Sequence, residues 1–142
     1  MASPADRLFA NNLFLVHTVI SAATGLAGFA APHRFVAAAL GDDSHVAHEF
    51  LRMWASLQLS LAWLALSMRK VNDGRCRRVL AECFAVGYTL QALALVRAIV
   101  VVPHAHSAAG ALTCGLYAAL GASYGYLRWF RTIKVFSLDD ER

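Results

Sequence analysis

His45, His48, Glu49 and Arg52 follow i, i+3, i+4, i+7 spacing, which lines them up along one stripe of a helix. A second arginine, Arg97, falls about five residues inside the end of another apolar run, at a depth similar to Glu49 and Arg52. Ionisable groups among apolar neighbours are expensive to bury, so each is a functional hypothesis in its own right. In the functional reading, Arg52 and Arg97 hold an anionic headgroup or an acidic substrate and Glu49 orients them. In the structural reading, a Glu49–Arg52 or Glu49–Arg97 ion pair locks the helices and the spare arginine snorkels towards phosphate.

Three further polar residues, His17, Gln58 and Gln91, sit in the middle of apolar segments. They could line a cavity for a quinone, a sterol or another amphiphile. They could equally form hydrogen bonds between helices, which average about 0.6 kcal/mol in membrane proteins. Haem would need two axial ligands between helices, and only His17 lies at the right depth. His33, His45, His48, His104 and His106 gather near one another, with Asp42 and Asp43 close by. Zinc or copper needs three or four donors at about 2 Å, and neither H-x-x-H nor H-x-H here belongs to a complete ligand set. The expectation is therefore no metal and no haem, with lipid as the one ligand class to consider. Cys76, Cys83 and Cys114 form no C-x-x-C pair and read as reduced thiols. No catalytic residue is assigned.

These residues must be positioned by long apolar elements. The 142-residue chain is 58% hydrophobic and only 15% charged, with a mean hydropathy of +0.50. A soluble domain carries about 25% charged residues, so the shortfall points to lipid as the solvent of most of the surface. Four apolar runs stand out, at 8–31, 46–68, 79–102 and 107–130. Each has about the 20 residues needed to span the hydrocarbon core. The expected fold is one all-α domain, a four-helix transmembrane bundle. The first run is too long for the apolar part of a cleavable signal and reads as a retained helix.

Lys and Arg counts set the orientation. Arg7, Arg69, Lys70, Arg75, Arg77, Arg78, Arg128, Arg131, Lys134 and Arg142 fall on the side shared by both termini and the middle loop. The other side has Arg34, so the expectation is N-in and C-in. The formal charge of +4 and the pI near 9.3 follow from these flanking arginines and do not indicate nucleic acid. Arg75, Arg77 and Arg78 would attract anionic lipid. Small residues mark where helices can approach closely: Ser21, Thr24, Gly25 and Gly28 in the first run, and a G-x-x-x-G at Gly121 and Gly125 in the fourth. Bundle packing is the ordinary role of such stripes, and a dimer seam or partner contact is the alternative for the G-x-x-x-G.

Pro32-His33-Arg34-Phe35, then Leu40-Gly41, Glu49-Phe50-Leu51-Arg52 and the basic turn Arg69 to Arg78 form a recognisable series. With these features the chain resembles small four-helix membrane proteins of the DoxX-like type, over nearly half its length. The resemblance implies a fold and carries over no catalytic residue. The functional expectation is a non-catalytic accessory or scaffold subunit of a larger membrane complex, of respiratory type, in the mitochondrial inner membrane. Its partners would be membrane lipids and other subunits. The alternative is a small membrane enzyme or carrier for a lipid-like or quinone-like molecule, using Glu49, Arg52, Arg97 and His17.

Overall fold

A computed structural model describes residues 4–34, 45–71, 73–101 and 108–131. Among them the regular structure is entirely helical, and the fold is all-α. The four long helices are α1 (Pro4–Ala30), α2 (His45–Met68), α3 (Gly74–Val101) and α4 (Ala108–Trp129). At about 1.5 Å per residue they are roughly 33–42 Å long, longer than the hydrocarbon core of about 30 Å. Leu40, Gly41, Asp42, Asp43, His104, His106 and the tail beyond Arg131 lie outside the described residues.

Local chemistry fixes the helix ends. Proline at the first helical position of α1 sacrifices no intrahelical hydrogen bond. The helix closes with Ala31 N–H donating to the Ala27 carbonyl at 3.1 Å, just before Pro32. At the end of α2 the amides of Arg69, Lys70 and Val71 donate to carbonyls three residues back, at 3.0–3.3 Å, tightening the last turn. Asp73 then caps α3, its Oδ1 accepting from the amides of Arg75 at 2.8 Å and Cys76 at 3.4 Å. For this reason α3 begins at Gly74, five residues ahead of its apolar run. Arg75, Arg77 and Arg78 are thus helical residues rather than parts of a turn.

Length alone does not make a membrane span. Among the described residues two stretches, Arg7–Ala30 and Gly74–Val101, are both long and apolar enough to cross a bilayer, against the four expected. The other two helices are diluted for visible reasons. Helix α2 opens with His45, His48, Glu49 and Arg52 and carries Ser56, Ser60 and Ser67. Helix α4 carries Gly110, Gly115, Gly121 and Gly125 with Tyr117, Tyr124 and Tyr126.

The helices pack as two close antiparallel pairs, α1 with α2 and α3 with α4. Gly25 abuts Ala55 and Leu59, and Gly28 abuts Ala55 and Leu51, so rising numbers on α1 meet falling numbers on α2. On the other side Gly121 faces Thr89 and Ala85, while the Cys114 thiol donates to the Ala92 carbonyl at 3.6 Å. The backbones of the two pairs stand further apart and are bridged by large side chains. Phe14, Phe84, Tyr88, Tyr117, Tyr124 and Leu127 fill that space, with Ala65, Ala81 and Ala85 packed in the same cluster. Contacts such as Phe14–Phe84 and Phe9–Tyr126 run α1 parallel to α3 and antiparallel to α4. The result is an up-down-up-down bundle.

The outer surface is apolar where that of a soluble bundle is polar. His17, Ser21 and Gln58 are buried, whereas Val19, Phe29, Phe50, Met53, Leu57, Trp63, Leu90 and Leu112 point outwards. Soluble monomers rarely expose a contiguous apolar surface of that extent.

Candidate functional site

His17 occupies the junction of the two pairs. Its position on α1, one turn after Phe14, carries the imidazole into the space between α3 and α4. There the ring lies edge-on to Phe84 with centroids 4.5 Å apart. Nδ1 is 2.7 Å from the Tyr124 hydroxyl and Nε2 is 2.7 Å from the Tyr88 hydroxyl. Tyr88 continues the chain to the Ser21 hydroxyl, again at 2.7 Å. His17, Ser21 and Tyr124 are fully buried and Tyr88 is 1% exposed, so the network is closed to solvent.

A neutral imidazole has one donor and one acceptor, so the chain must run in one of two directions. If Tyr124 donates to Nδ1, then Nε2–H donates to Tyr88 and Tyr88 donates to Ser21. The remaining proton is then on Ser21, whose hydroxyl makes no other hydrogen bond. Thr18 and Thr24, unlike Ser21, donate to carbonyls of their own helix, to Phe14 at 2.8 Å and to Ile20 at 2.9 Å. In the reverse direction the remaining proton is on Tyr124, whose hydroxyl has no second partner. Each direction leaves one hydroxyl proton at an end of the chain, and the distances fit either tautomer.

Two neighbouring groups are less well satisfied. Gln58 Nε2 donates to Gln91 Oε1 at 3.0 Å and joins α2 to α3, while Gln58 Oε1 is buried without a hydrogen bond. The Tyr117 hydroxyl faces Thr24 outside hydrogen-bond geometry and is also unsatisfied. An orphaned buried group costs about 1–3 kcal/mol. Tyr117→Phe should therefore leave stability unchanged or raise it, whereas Tyr124→Phe, which strands His17 Nδ1, should lower it. Unfolding titrations in mixed micelles would compare the two, and equal losses would contradict the assignment.

The charged stripe of α2 is arranged differently from the expected layer. Arg52 Nη1 donates to Glu49 Oε1 at 2.6 Å within one helix, and both side chains are exposed. Arg97 stands exposed on α3 and makes no hydrogen bond or ion pair with either. His17, Gln58 and Gln91 do meet neighbouring helices, and each pairs there with a side chain of another helix. An intrahelical pair this exposed contributes about 0.3–0.5 kcal/mol. At the opposite, basic end Arg128 Nε donates to Glu82 Oε2 at 2.9 Å, tying α4 to α3. Arg77, 5% exposed, donates from Nη2 to the Arg69 carbonyl at 3.1 Å and closes the C-terminal turn of α2.

His33, His45 and His48 gather at the far end, with ring centroids 3.8, 6.0 and 6.4 Å apart. Among the described residues no set of three or more His, Cys, Asp or Glu is arranged to hold a metal ion. Cys76, Cys83 and Cys114 are free thiols. Of the glycines, Gly25, Gly28 and Gly121 serve contacts inside the bundle, while Gly125 makes room for the ring of its own Trp129.

Tyr88 and Tyr124 are the residues that sequence reasoning passed over. A signal existed. Tyrosines of membrane helices favour the interface, and one placed mid-span needs a partner for its hydroxyl. Comparison with protein-family models, curated proteins and solved structures finds no match for this chain.

Proposed function

We propose that this chain is a four-span membrane protein with both termini on the cytoplasmic-equivalent side, serving as a non-catalytic accessory or scaffold subunit of a larger membrane complex. The carrying observation is the apolar outer surface of the bundle. Phe50, Met53, Leu57 and Trp63 on α2, and Leu112 and Trp129 on α4, are exposed large apolar side chains. They continue the apolar surface of the two helices that pass the length and composition test, so lipid around all four is the consistent environment. The orientation rests on one bundle end holding Arg7, Arg69, Lys70, Arg75, Arg77, Arg78, Arg128 and Arg131.

The accessory role is supported by how the interior polar groups are used. Both nitrogens of His17 are engaged by tyrosines and the ring is fully buried. That is the economy of a joint between helices, since a reacting imidazole must reach its substrate. A carrier or enzyme acting on a lipid-like or quinone-like molecule through Glu49, Arg52, Arg97 and His17 draws no support from their placement. We place the subunit in an energy-transducing membrane such as the mitochondrial inner membrane.

Two measurements test this reading. With Cys83 and Cys114 changed to serine, Cys76 should react with a membrane-impermeant maleimide only from the inner side. An added Arg34→Cys, in the turn after α1, should react only from the outer side. Labelling of both from one side would overturn the four-span topology. Solubilised in mild detergent from native membranes, the chain should migrate with a larger assembly. Migration as a monomer with bound lipid or quinone would overturn the accessory role.

A further inference from the structure

The two helix pairs are sealed differently. Between α1 and α2, Leu59 and Leu51 seat against Gly25 and Gly28 and fill the seam. Between α3 and α4 a groove of about 550 Å³ stays open to the outside. Its floor is made of small residues, Ala92, Ala118 and Ala122, and its walls include Leu93 and Val96. Tyr126 and Trp129 close it at the basic end. From Trp129 back to Cys114, which also lines it, α4 rises about 22 Å, more than one leaflet of a hydrocarbon core about 30 Å thick. The volume lies within the usual range of small-molecule sites, roughly 300–1,000 Å³.

Charge stands at one end of this apolar slot. The Arg131 guanidinium lies 5.9 Å from the centroid of the Tyr126 ring, and its Nε donates to the Tyr126 hydroxyl at 3.4 Å. Arg131 is exposed, so its positive charge stands at the mouth of the groove. We propose that the α3–α4 groove holds one acyl chain of an anionic phospholipid, with its phosphate at Arg131 and its tail running towards Cys114. The proposal rests on the membrane reading above and adds to it a specific lipid class and a specific seat. Under the proposed orientation the headgroup belongs to the inner leaflet, where anionic lipids attract basic residues. A seam made of small residues is also where a transmembrane helix of another chain could lie. The arginine at the mouth favours the phosphate, and a helix is the occupant the experiment must exclude.

Brominated acyl chains, which quench tryptophan on contact, provide the test. A chain carrying Trp54→Phe and Trp63→Phe keeps Trp129, at the groove, as its sole indole. In phosphatidylcholine nanodiscs, a minor fraction of brominated phosphatidylglycerol should reach Trp129 about five-fold more effectively than the same fraction of brominated phosphatidylcholine. Arg131→Gln should remove the headgroup preference. Ala118→Phe, at an exposed groove position, should remove the tight quenching itself. Equal quenching by the two lipids, or a preference that survives both variants, would overturn the proposal. So would protection of Trp129 from both lipids, which means that protein fills the groove. A companion chain keeping only Trp63, 72% exposed on α2, separates this failure from failure of the membrane reading. If Trp63 is quenched without regard to headgroup while Trp129 shows no preference, only the groove assignment falls. If Trp63 is not quenched at all, the membrane reading falls with it.

Discussion

His17→Leu should destabilise the bundle by about 1–3 kcal/mol, the cost of leaving a buried hydroxyl without a partner. The loss is expected to be uneven across the network. Tyr88 keeps its 2.7 Å contact with Ser21, whereas Tyr124 loses the sole hydrogen bond it makes. Adding Tyr124→Phe to His17→Leu should therefore recover much of the loss, because removing both partners of a buried bond is nearly neutral. Adding Tyr88→Phe should recover nothing, since it strands Ser21 instead. The average for polar contacts between membrane helices, about 0.6 kcal/mol, reflects side chains that find other partners once separated. Tyr124 is fully buried with none in reach, which places it at the upper end. Steric-trapping or detergent unfolding measurements on the three variants and the unaltered chain would decide. Equal recovery by the two phenylalanine substitutions would refute the network as described.

Gly25→Ala should cost a comparable amount, about 1–3 kcal/mol, by overpacking the α1–α2 seam. An added Cβ would lie 2.9 Å from Leu59 Cγ and 3.0 Å from the Ala55 carbonyl oxygen. The leucine can turn aside, but the carbonyl belongs to the helix backbone, so the helices must separate. Gly121→Ala should behave alike, meeting Thr89 Oγ1 at 2.8 Å and its amide nitrogen at 3.1 Å. Gly87 and Gly115 have nothing within 4 Å of the same position, and alanine there should stabilise by about 0.5–1 kcal/mol through helix propensity. Thermal unfolding followed by circular dichroism should order the variants in two groups. If Gly25→Ala proved as harmless as Gly87→Ala, close approach of α1 and α2 would be wrong.

The helical class was legible from the chain because each of the four apolar runs is far too long for a strand and lies on one of the helices. Their equivalence as spans was not. The polar first turns of α2 and the glycines and tyrosines of α4 set those two apart once each helix is taken over its full length. The site was legible in one half. A histidine in mid-span announces that it needs partners, but the partners lie 71 and 107 residues away on helices whose rotation spacing does not fix. That rotation is set by contacts such as Gly121 against Thr89, which turn Tyr124 inwards. The same gap explains Glu49, Arg52 and Arg97. Spacing placed Glu49 and Arg52 on one stripe, and they pair there, but it carried no information on which way Arg97 faces across the bundle.

The division into two antiparallel pairs has a consequence for biosynthesis. Each pair joins helices adjacent in the chain, so each can assemble as a hairpin soon after it leaves the ribosome. The hydrogen bonds of His17, Ser21 and Gln58 all wait for α3 or α4. In the four-span reading proposed above, the first hairpin presents these polar groups to lipid until the second arrives, and translation of the last two helices is what conceals them. Newly made chains that stop short would therefore carry a mark of incompleteness on the α1–α2 surface, in the form of an uncovered imidazole and amide.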